Sequence, residues 1–280
     1  MAVFAQITDL HLRPRGAAAL GRVEVGTFAA RAVAALRALS PAPDVVLVTG
    51  DVTDLGEPAA YDVAVRLFRT LPMPVLVMPG NHDARNAFRD AFDGWPGIGG
   101  GDSERLCYLV DGRDAAVIVL DSLVEGEAHG NLGREQLDWL DQTLGGIAGK
   151  PTLIAMHHPP MTTGIAHMDR IGLRDAAELG AVVAAHRHVR RIACGHLHRH
   201  IVGHIAHAPV VCIPGVAHQV VLDLDPEAPA QFVMEPPAYA LHILTADNDF
   251  ASHLAFVEAF DGPYDYRRAE GVEWLNHPST

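Results

Sequence analysis

Short apolar runs of strand length recur along the chain, and several are apolar at every position rather than at alternate positions. Such runs, as at residues 45–48, are typical of strands buried on both faces. Between them apolar residues recur at helical spacing, as at Tyr61, Ala64 and Phe68. This alternation predicts an α/β fold with parallel strands at its centre. The predicted strands are residues 3–7, 45–48, 75–78, 116–120, 153–156, 191–193 and 210–213.

The helical signal fades after Cys212. Further strands are predicted at residues 220–224, 231–234 and 240–244, separated by turns rich in proline and aspartate. The prolines between residues 226 and 237 favour a protruding hairpin, because apolar residues persist on both sides of them. We therefore expect a core of residues 1–219 and a β-rich C-terminal lobe of residues 220–280.

Charge and cysteine content limit the classes of partner and compartment. With 34 acidic and 21 basic residues the chain carries a formal charge of −13, which repels nucleic acid backbones and anionic lipid. Three widely spaced cysteines, Cys107, Cys194 and Cys212, form no CxxC pair and indicate a reducing cytoplasm. Neither a secretory signal nor a membrane span is predicted. We expect no nucleic acid partner and no membrane attachment.

Polar residues follow five of the predicted strands, at the point where each strand ends. Their side chains are carboxylates, an amide and imidazoles, in a chain that has 17 histidines. In a parallel sheet such residues converge on one crevice, although strand ends also attract polar residues simply to form turns. The five blocks are Asp9 with His11, Asp51, Asn81-His82-Asp83, His157-His158, and His196 with His198.

The residue types in these blocks predict a metal site. Asp9 and His11, like His196 and His198, are two residues apart, which in an extended segment places both side chains on one face. Mixed carboxylate and imidazole ligands suit iron, zinc, manganese or cobalt rather than calcium. A carboxylate such as Asp51 can give one oxygen to each of two ions, so we expect two divalent metal ions per chain.

The five blocks, in this order and with this spacing, resemble the signature of the calcineurin-like metallophosphoesterases. Within them the chain is similar to the branch of class III cyclic nucleotide phosphodiesterases and bacterial glycerophosphodiesterases. The resemblance implies a four-layer α-β-β-α sandwich, with residues 1–219 as its catalytic core and residues 220–280 completing the second sheet. It also implies hydrolysis of small phosphodiesters, glycerophosphodiesters or 3',5'-cyclic nucleotides, by in-line attack of a metal-bound hydroxide.

The resemblance also implies a role for each site residue. Asp51 bridges the two metal ions, His82 and His218 contact the substrate, and Asn81 acts with His82 in catalysis. Asp54 and Asp83 orient ligating imidazoles or turns. The sequence assigns no role to His158, His200, His204, His207 or Arg170. The implied ligands are Asp9, His11, Asp51 and His198 for one metal ion, and Asp51, Asn81, His157 and His196 for the other.

Three other functions are alternatives to a phosphodiesterase. Phosphoprotein phosphatases of this superfamily carry Gly-Asp-x-x-Asp-Arg-Gly and Gly-Asn-His-Glu, whereas this chain has Leu55 after Asp54, and Asp83 after His82. A phosphomonoesterase or nuclease of the superfamily remains an alternative, but a nuclease requires a basic surface. A non-catalytic scaffold with the same fold is the third alternative, and it predicts eroded ligands.

The C-terminal lobe also predicts self-association. Residues 220–266 combine short strands, prolines and aromatic residues such as Phe232, and an exposed hairpin of this kind is an edge that a symmetry mate can cover. Relatives in the glycerophosphodiesterase branch pair through this region, so the resemblance implies a homo-oligomer, either a dimer or a trimer of dimers. The alternative is a C-terminal sheet packed on its own domain.

Overall fold

A computed structural model gives the fold of residues 2–98 and 104–264. The last part of the predicted C-terminal lobe, residues 265–280, lies outside the described residues. The strands are β1 (Val3–Ile7), β2 (Val45–Thr49), β3 (Val75–Met78), β4 (Tyr108–Asp111), β5 (Ala116–Val119), β6 (Thr152–Met156), β7 (Val189–Cys194), β8 (Ile201–Ile205), β9 (Ala208–Cys212), β10 (Gln219–Val220), β11 (Phe232–Val233), β12 (Ala238–Leu244) and β13 (Phe250–Phe256). The helices are α1 (Val25–Arg37), α2 (Pro58–Phe68), α3 (Arg85–Ala91), α4 (Arg134–Gly146), α5 (Ala166–Asp169) and α6 (Ala176–Ala185).

Two mixed sheets carry the fold. The first has the order β13-β12-β1-β2-β3, and the second has the order β4-β5-β6-β7-β9-β8. The neighbours β1-β2-β3 and β5-β6-β7-β9 are parallel, as the buried apolar runs predict, whereas β4, β8, β12 and β13 join antiparallel. The C-terminal pair β12-β13 therefore extends the sheet that begins the chain, whereas the resemblance implied that residues 220–280 complete the second sheet.

Successive side chains along each strand point to opposite faces of the sheet, so the buried residues form separate layers. In the second sheet Val117, Leu153 and Ala193 belong to the core that this sheet shares with the first sheet. Ile118, Ile154 and Ile192, one position further along the same strands, pack against α4 and α6 instead. The prediction of a four-layer α-β-β-α sandwich is confirmed. Where this fold is described, no helix is long and apolar enough to cross a membrane.

A buried polar network joins the two sheets beneath the ends of β2 and β7. The Gln6 amide donates to Thr49 Oγ1 at 2.8 Å and to the Cys194 carbonyl at 2.9 Å. Its oxygen accepts from His242 Nε2 at 3.0 Å, and His242 Nδ1 accepts from the Ser252 hydroxyl at 2.7 Å. Every polar atom of the Gln6 and His242 side chains thus has a partner, which a buried network requires.

His242 should make the protein less stable in acid. Burial, and then the nearby Arg191 guanidinium, lowers the pKa of His242 to about 3. In the unfolded chain a histidine titrates near 6.5, so between pH 6.5 and 3 the unfolded state binds the extra proton and stability falls as pH falls. We expect a loss of about 2–3 kcal/mol by pH 4.5 from this residue. His242→Gln should remove that part of the loss.

The measurement is the free energy of unfolding in urea at pH 7.5 and pH 4.5. The difference between the two free energies should be smaller in His242→Gln than in the unchanged protein by about 2–3 kcal/mol. His253→Gln, at an exposed position of β13, is the matched control. Equal pH dependence in the unchanged protein and His242→Gln would show that this imidazole is protonated in the folded state.

Candidate metal centre

The loops after β1, β2, β3, β6 and β7 meet in one cleft of about 380 Å³. Because parallel strands of both sheets end at the same side of the molecule, residues far apart in sequence become neighbours. Asp9 and His157 are completely buried beneath the cleft. The predicted site residues that line it are His11, Asp51, Asn81, His82, His196, His198 and His218.

The first group of ligand atoms belongs to Asp9, His11, Asp51 and His198, and these atoms all lie within 4.8 Å of one another. His11 Nε2 lies 3.1 Å from His198 Nε2, and His198 Nε2 lies 3.3 Å from Asp9 Oδ1. The Asp9 carboxylate also accepts the backbone N–H of His196 at 3.1 Å. This group coincides with the ligand set that the resemblance implies for one metal ion.

A second group surrounds the Asn81 amide oxygen, which lies 3.2 Å from His157 Nε2 and 3.0 Å from His196 Nδ1. Asp51 connects the two groups, because its Oδ2 is 3.6 Å from His11 Nε2 and 3.4 Å from His157 Nε2. Its other oxygen, Oδ1, accepts the backbone N–H of His82 at 2.9 Å. A carboxylate in this position can serve both groups at once.

Backbone carbonyls fix two of the imidazoles. His157 Nδ1 donates to the Thr49 carbonyl at 2.8 Å, and His198 Nδ1 donates to the His218 carbonyl at 2.7 Å. In each ring the Nε2 lone pair therefore faces the cluster, as a metal ligand requires.

The local backbone is strained where these side chains emerge. A positive φ is rare outside glycine and costs free energy, so several close together point to a functional site. Gly50 and Gly80 flank the site at places where a Cβ atom would meet His157 and Asp51 at 2.3 and 2.1 Å. The non-glycine residues with positive φ in these loops are Asp9, His11, Asp51, His196 and His198.

The electrostatics of the site favour a cation. Burial opposes charge on both Asp9 and His157, but the opposite charges nearby outweigh it. His198 lowers the pKa of Asp9 to about 2, and Asp51 raises the pKa of His157 to about 9. The carboxylates Asp9 and Asp51 thus favour a positive charge beside them, which a divalent metal ion could supply.

Unpaired ring nitrogens support the same conclusion. His196 Nε2 and His218 Nδ1 are buried and have no hydrogen-bond partner among the described residues. Buried polar atoms without partners are uncommon and call for an explanation such as an ion. With donor atoms that are only nitrogen and oxygen, this cluster fits divalent metal ions of the zinc, iron, manganese and cobalt type.

His82 lies at the side of the cleft, where its ring centroid is 4.6 Å from that of His11, and it forms a further group of potential ligand atoms with His11 and Asp54. Its Nδ1 donates to the Asp54 carbonyl at 2.9 Å, which leaves Nε2 for a bound molecule. The Asp54 carboxylate lies 3.4 Å from His11 Nδ1 and accepts from Arg13 at 3.0 Å. Arg13 also pairs with Glu57, so its guanidinium is committed to carboxylates.

The histidines and the arginine without a predicted role lie in different environments. His158 is buried, but both its ring nitrogens have partners: Nδ1 accepts from Ser122 at 2.8 Å, and Nε2 donates to the Ala128 carbonyl at 3.2 Å. His207 is half-buried, with its Nε2 donating to the Val189 carbonyl. The exposed positions are His200, His204 and Arg170.

Asp83 is the organising residue of the two central loops, and sequence reasoning understated it. Its Oδ1 accepts from the Thr53 backbone and hydroxyl and from the Tyr61 hydroxyl, and its Oδ2 accepts from the backbones of Val52 and Gly80. Burial and the Asp51 charge raise the pKa of Asp83 to about 6, while the backbone N–H groups oppose the rise. Asp83 thereby joins the loop that carries Asp51 to the loop that carries Asn81.

Asp83→Asn should weaken both stability and metal binding. An asparagine turns an NH₂ group toward donors, so we expect about 2–4 kcal/mol less stability. Metal affinity should fall by about 10- to 100-fold, the usual effect of losing a group that orients ligands. Urea unfolding and metal titration are the measurements, with Tyr61→Phe, which removes one of the five donors, as the milder control. Unchanged metal affinity in Asp83→Asn would refute this role.

Comparison with known proteins agrees with the resemblance that the sequence motifs indicate. Residues 2–200 match the family model described as calcineurin-like phosphoesterase. The chain is 32% identical over 270 residues to a probable glycerophosphodiester phosphodiesterase of Arcobacter nitrofigilis, covering 96% of this chain and 98% of that one. It is 35% identical over 264 residues to a probable cyclic nucleotide phosphodiesterase of Rhodopseudomonas palustris, covering 93% and 94%.

Among solved structures, a dimetal phosphatase of Danio rerio is similar in fold. The TM-score is 0.63 at 17% identity, with 90% of this chain and 98% of that chain covered. At this level of identity the likeness concerns the fold alone.

Proposed function

The chain belongs to the calcineurin-like phosphoesterase family, and on that premise we propose that it is a two-metal hydrolase of small phosphodiesters. The observation that carries the proposal is the position of Asp51 Oδ2, 3.6 Å from His11 Nε2 and 3.4 Å from His157 Nε2. One carboxylate between two groups of nitrogen and oxygen donors is what a pair of metal ions needs. The proposed substrates are glycerophosphodiesters or 3',5'-cyclic nucleotides, because the two relatives are named a probable glycerophosphodiester phosphodiesterase and a probable cyclic nucleotide phosphodiesterase.

Asp9, His11, Asp51 and His198 would hold one ion, and Asp51, Asn81, His157 and His196 the other. Two divalent ions carry +4 and the carboxylates Asp9 and Asp51 carry −2, which leaves about +2 to attract a phosphodiester anion despite the overall charge of −13. When bound, the ions supply Lewis acidity that activates water and offsets charge on the oxygens of the reacting phosphate. Iron, zinc, manganese and cobalt all suit these donors.

The chain's own residues bind and orient the diester. In its imidazolium form His82 can donate from Nε2 to a phosphoryl oxygen or to the departing alkoxide, while its Nδ1 donates to the Asp54 carbonyl. His218 lines the same cleft and offers a second imidazole to the bound molecule. Burial lowers the pKa of His218 to about 3, so this ring is neutral when it meets the anion.

The test is a comparison of kcat/KM for glycerophosphoethanolamine, cyclic AMP and p-nitrophenyl phosphate on one preparation loaded with a defined metal. Hydrolysis of either diester well above that of the monoester supports the proposal. Higher activity on the monoester would favour a phosphomonoesterase of the same family, and no activity on any of the three would favour a non-catalytic scaffold.

We also propose that the chain forms a homo-oligomer through its C-terminal lobe and functions in the cytoplasm. The strand β13 is an edge of the first sheet, and exposed apolar residues cluster on this lobe at Leu222, Leu224, Met234 and Phe256. Light scattering should give a mass of about 60 kDa or more, against 30.0 kDa for one chain. A 30.0 kDa species at micromolar concentration would contradict it.

A further inference from the structure

The small sheet of β10 and β11 forms one wall of the cleft. In this antiparallel pair Val220 lies opposite Phe232, and both side chains line the cleft. Gln219 and Val233, the other pair, belong to the opposite face of the ribbon, because successive strand residues point to opposite sides. The ribbon therefore presents an apolar and aromatic face toward the metal centre.

Two side chains join this ribbon by hydrogen bonds to segments beside the metal centre. Gln219 exchanges two hydrogen bonds of 2.9 Å with the backbone of Gly215. Arg199, the residue after His198, donates to the Val220 carbonyl at 2.6 Å and to Glu235 at 2.8 Å. The residue that follows the predicted ligand His198 thus holds the backbone of Val220, the partner of Phe232 in the ribbon.

Aromatic rings run in an unbroken series from the centre to the wall. The His218 ring lies 4.7 Å from the His198 ring and 5.1 Å from the His11 ring, measured between centroids. Phe232 meets His218 edge to face, with centroids 5.5 Å apart. Phe232 is 36% exposed and therefore has surface left to contact a molecule bound beside the metals.

The rest of this wall is mostly apolar, with His167 and Gln231 as its polar residues. Asp51 and Asp54 are the only charged residues, apart from histidines, among the described residues that line the cleft. Over the apolar part of the wall a glycerol group would lose hydration without regaining hydrogen bonds, whereas a flat heterocycle can stack on the Phe232 ring. The apolar residues of the wall are Leu20, Met168, Ile171, Val220, Ala230 and Phe232.

We infer that Phe232 is a specificity-determining residue that receives the base of a nucleotide diester, so that cyclic nucleotides are favoured over glycerophosphodiesters. The inference rests on the proposed function, because it concerns the ester group of the same substrate. The residue that selects the ester group then lies on β11, while the metal centre acts on the phosphate that both substrate classes share.

The experiment compares kcat/KM for cyclic AMP and for glycerophosphoethanolamine in the metal-loaded, full-length chain. The unchanged protein should prefer cyclic AMP. In Phe232→Ala the ratio of the two values should fall by about 10-fold, because base stacking is lost while the shared phosphate chemistry is kept. Phe232→Tyr keeps a stacking ring and should keep the ratio.

Val233→Ala is the matched control, since Val233 is the neighbouring residue of β11, is 37% exposed and lies on the face of the ribbon away from the cleft. It should leave the ratio unchanged. A ratio that is unaffected by Phe232→Ala, or that changes equally in Val233→Ala, would overturn the inference while leaving the proposed function intact. If the unchanged protein hydrolyses neither diester, the proposed function fails, and the inference with it.

Discussion

Asp51→Asn should lower kcat/KM for bis(p-nitrophenyl) phosphate by at least about 10³-fold, because it removes the charge that both groups of ligand atoms share. Burial opposes ionisation of this carboxyl, yet His157 and the other imidazoles hold its pKa well below the usual range. Asparagine offers one neutral oxygen in place of two charged ones. Metal content, measured by elemental analysis, should fall from two ions per chain to one or fewer.

Asp54→Asn is the matched control for this loss. Asp54 lies three residues further along the same loop, and its carboxylate is 3.4 Å from His11 Nδ1 but not between the two groups. Its replacement should reduce activity by about 10- to 100-fold and leave two ions bound. An Asp51→Asn protein that kept two ions and more than a tenth of the activity would exclude a bridging role.

His82→Ala should lower kcat by about 10²-fold while both metal ions stay bound. The factor is the usual contribution of a single group that donates a proton or hydrogen bond in the transition state. Alanine at this position keeps the backbone N–H that Asp51 Oδ1 accepts, so the loop should retain its geometry. Steady-state kinetics together with elemental analysis separate the effect on chemistry from an effect on metal binding.

His200→Ala controls for the loss of a histidine near the site, since His200 is exposed and follows the ligand motif by two residues. It should leave kcat unchanged. If His82→Ala also left kcat unchanged, the side chain would have no catalytic role. If the substitution released a metal ion, the role of His82 would be structural.

The strands that carry the metal centre could be predicted from sequence because they are buried on both faces. Residues 45–48 and 75–78 are apolar throughout, and the structure places β2 and β3 there. The edge strands β8 and β13 were not predicted. In β8, Ile201 to Ile205, Val202 is exposed and the central residue is a glycine, so the apolar pattern of a strand is not visible. In β13 most side chains are at least partly exposed.

Two predicted strands were too long. Residues 220–224 and 231–234 form only the two-residue strands β10 and β11, because acidic residues and prolines interrupt the chain between them. The helix α6 was also missed, since its alanine-rich sequence shows no clear apolar stripe. The predicted boundary of the C-terminal lobe at residue 219 stays a prediction.

The side chains of the site were easier to predict than the groups that hold them. Aspartate and histidine after a strand are visible in a sequence, but the Thr49 carbonyl that fixes His157 is a backbone atom with no sequence signature. The glycine before Asp51 was a usable signal, because a Cβ atom there would meet the His157 ring. The contact between Phe232 and His218 joins residues 14 positions apart through a proline-rich turn, which no periodicity reveals.

The central claim is that two metal ions act together at Asp51, and a metal titration of the stripped protein tests it most directly. Activity on bis(p-nitrophenyl) phosphate should stay low through the first equivalent of manganese or zinc and rise with the second. The second ion should bind more weakly, because Asn81 contributes a neutral amide oxygen in place of a charged ligand. Asn81→Ala should weaken only that second binding step. Full activity with one ion per chain, or activity that is independent of metal, would contradict the account.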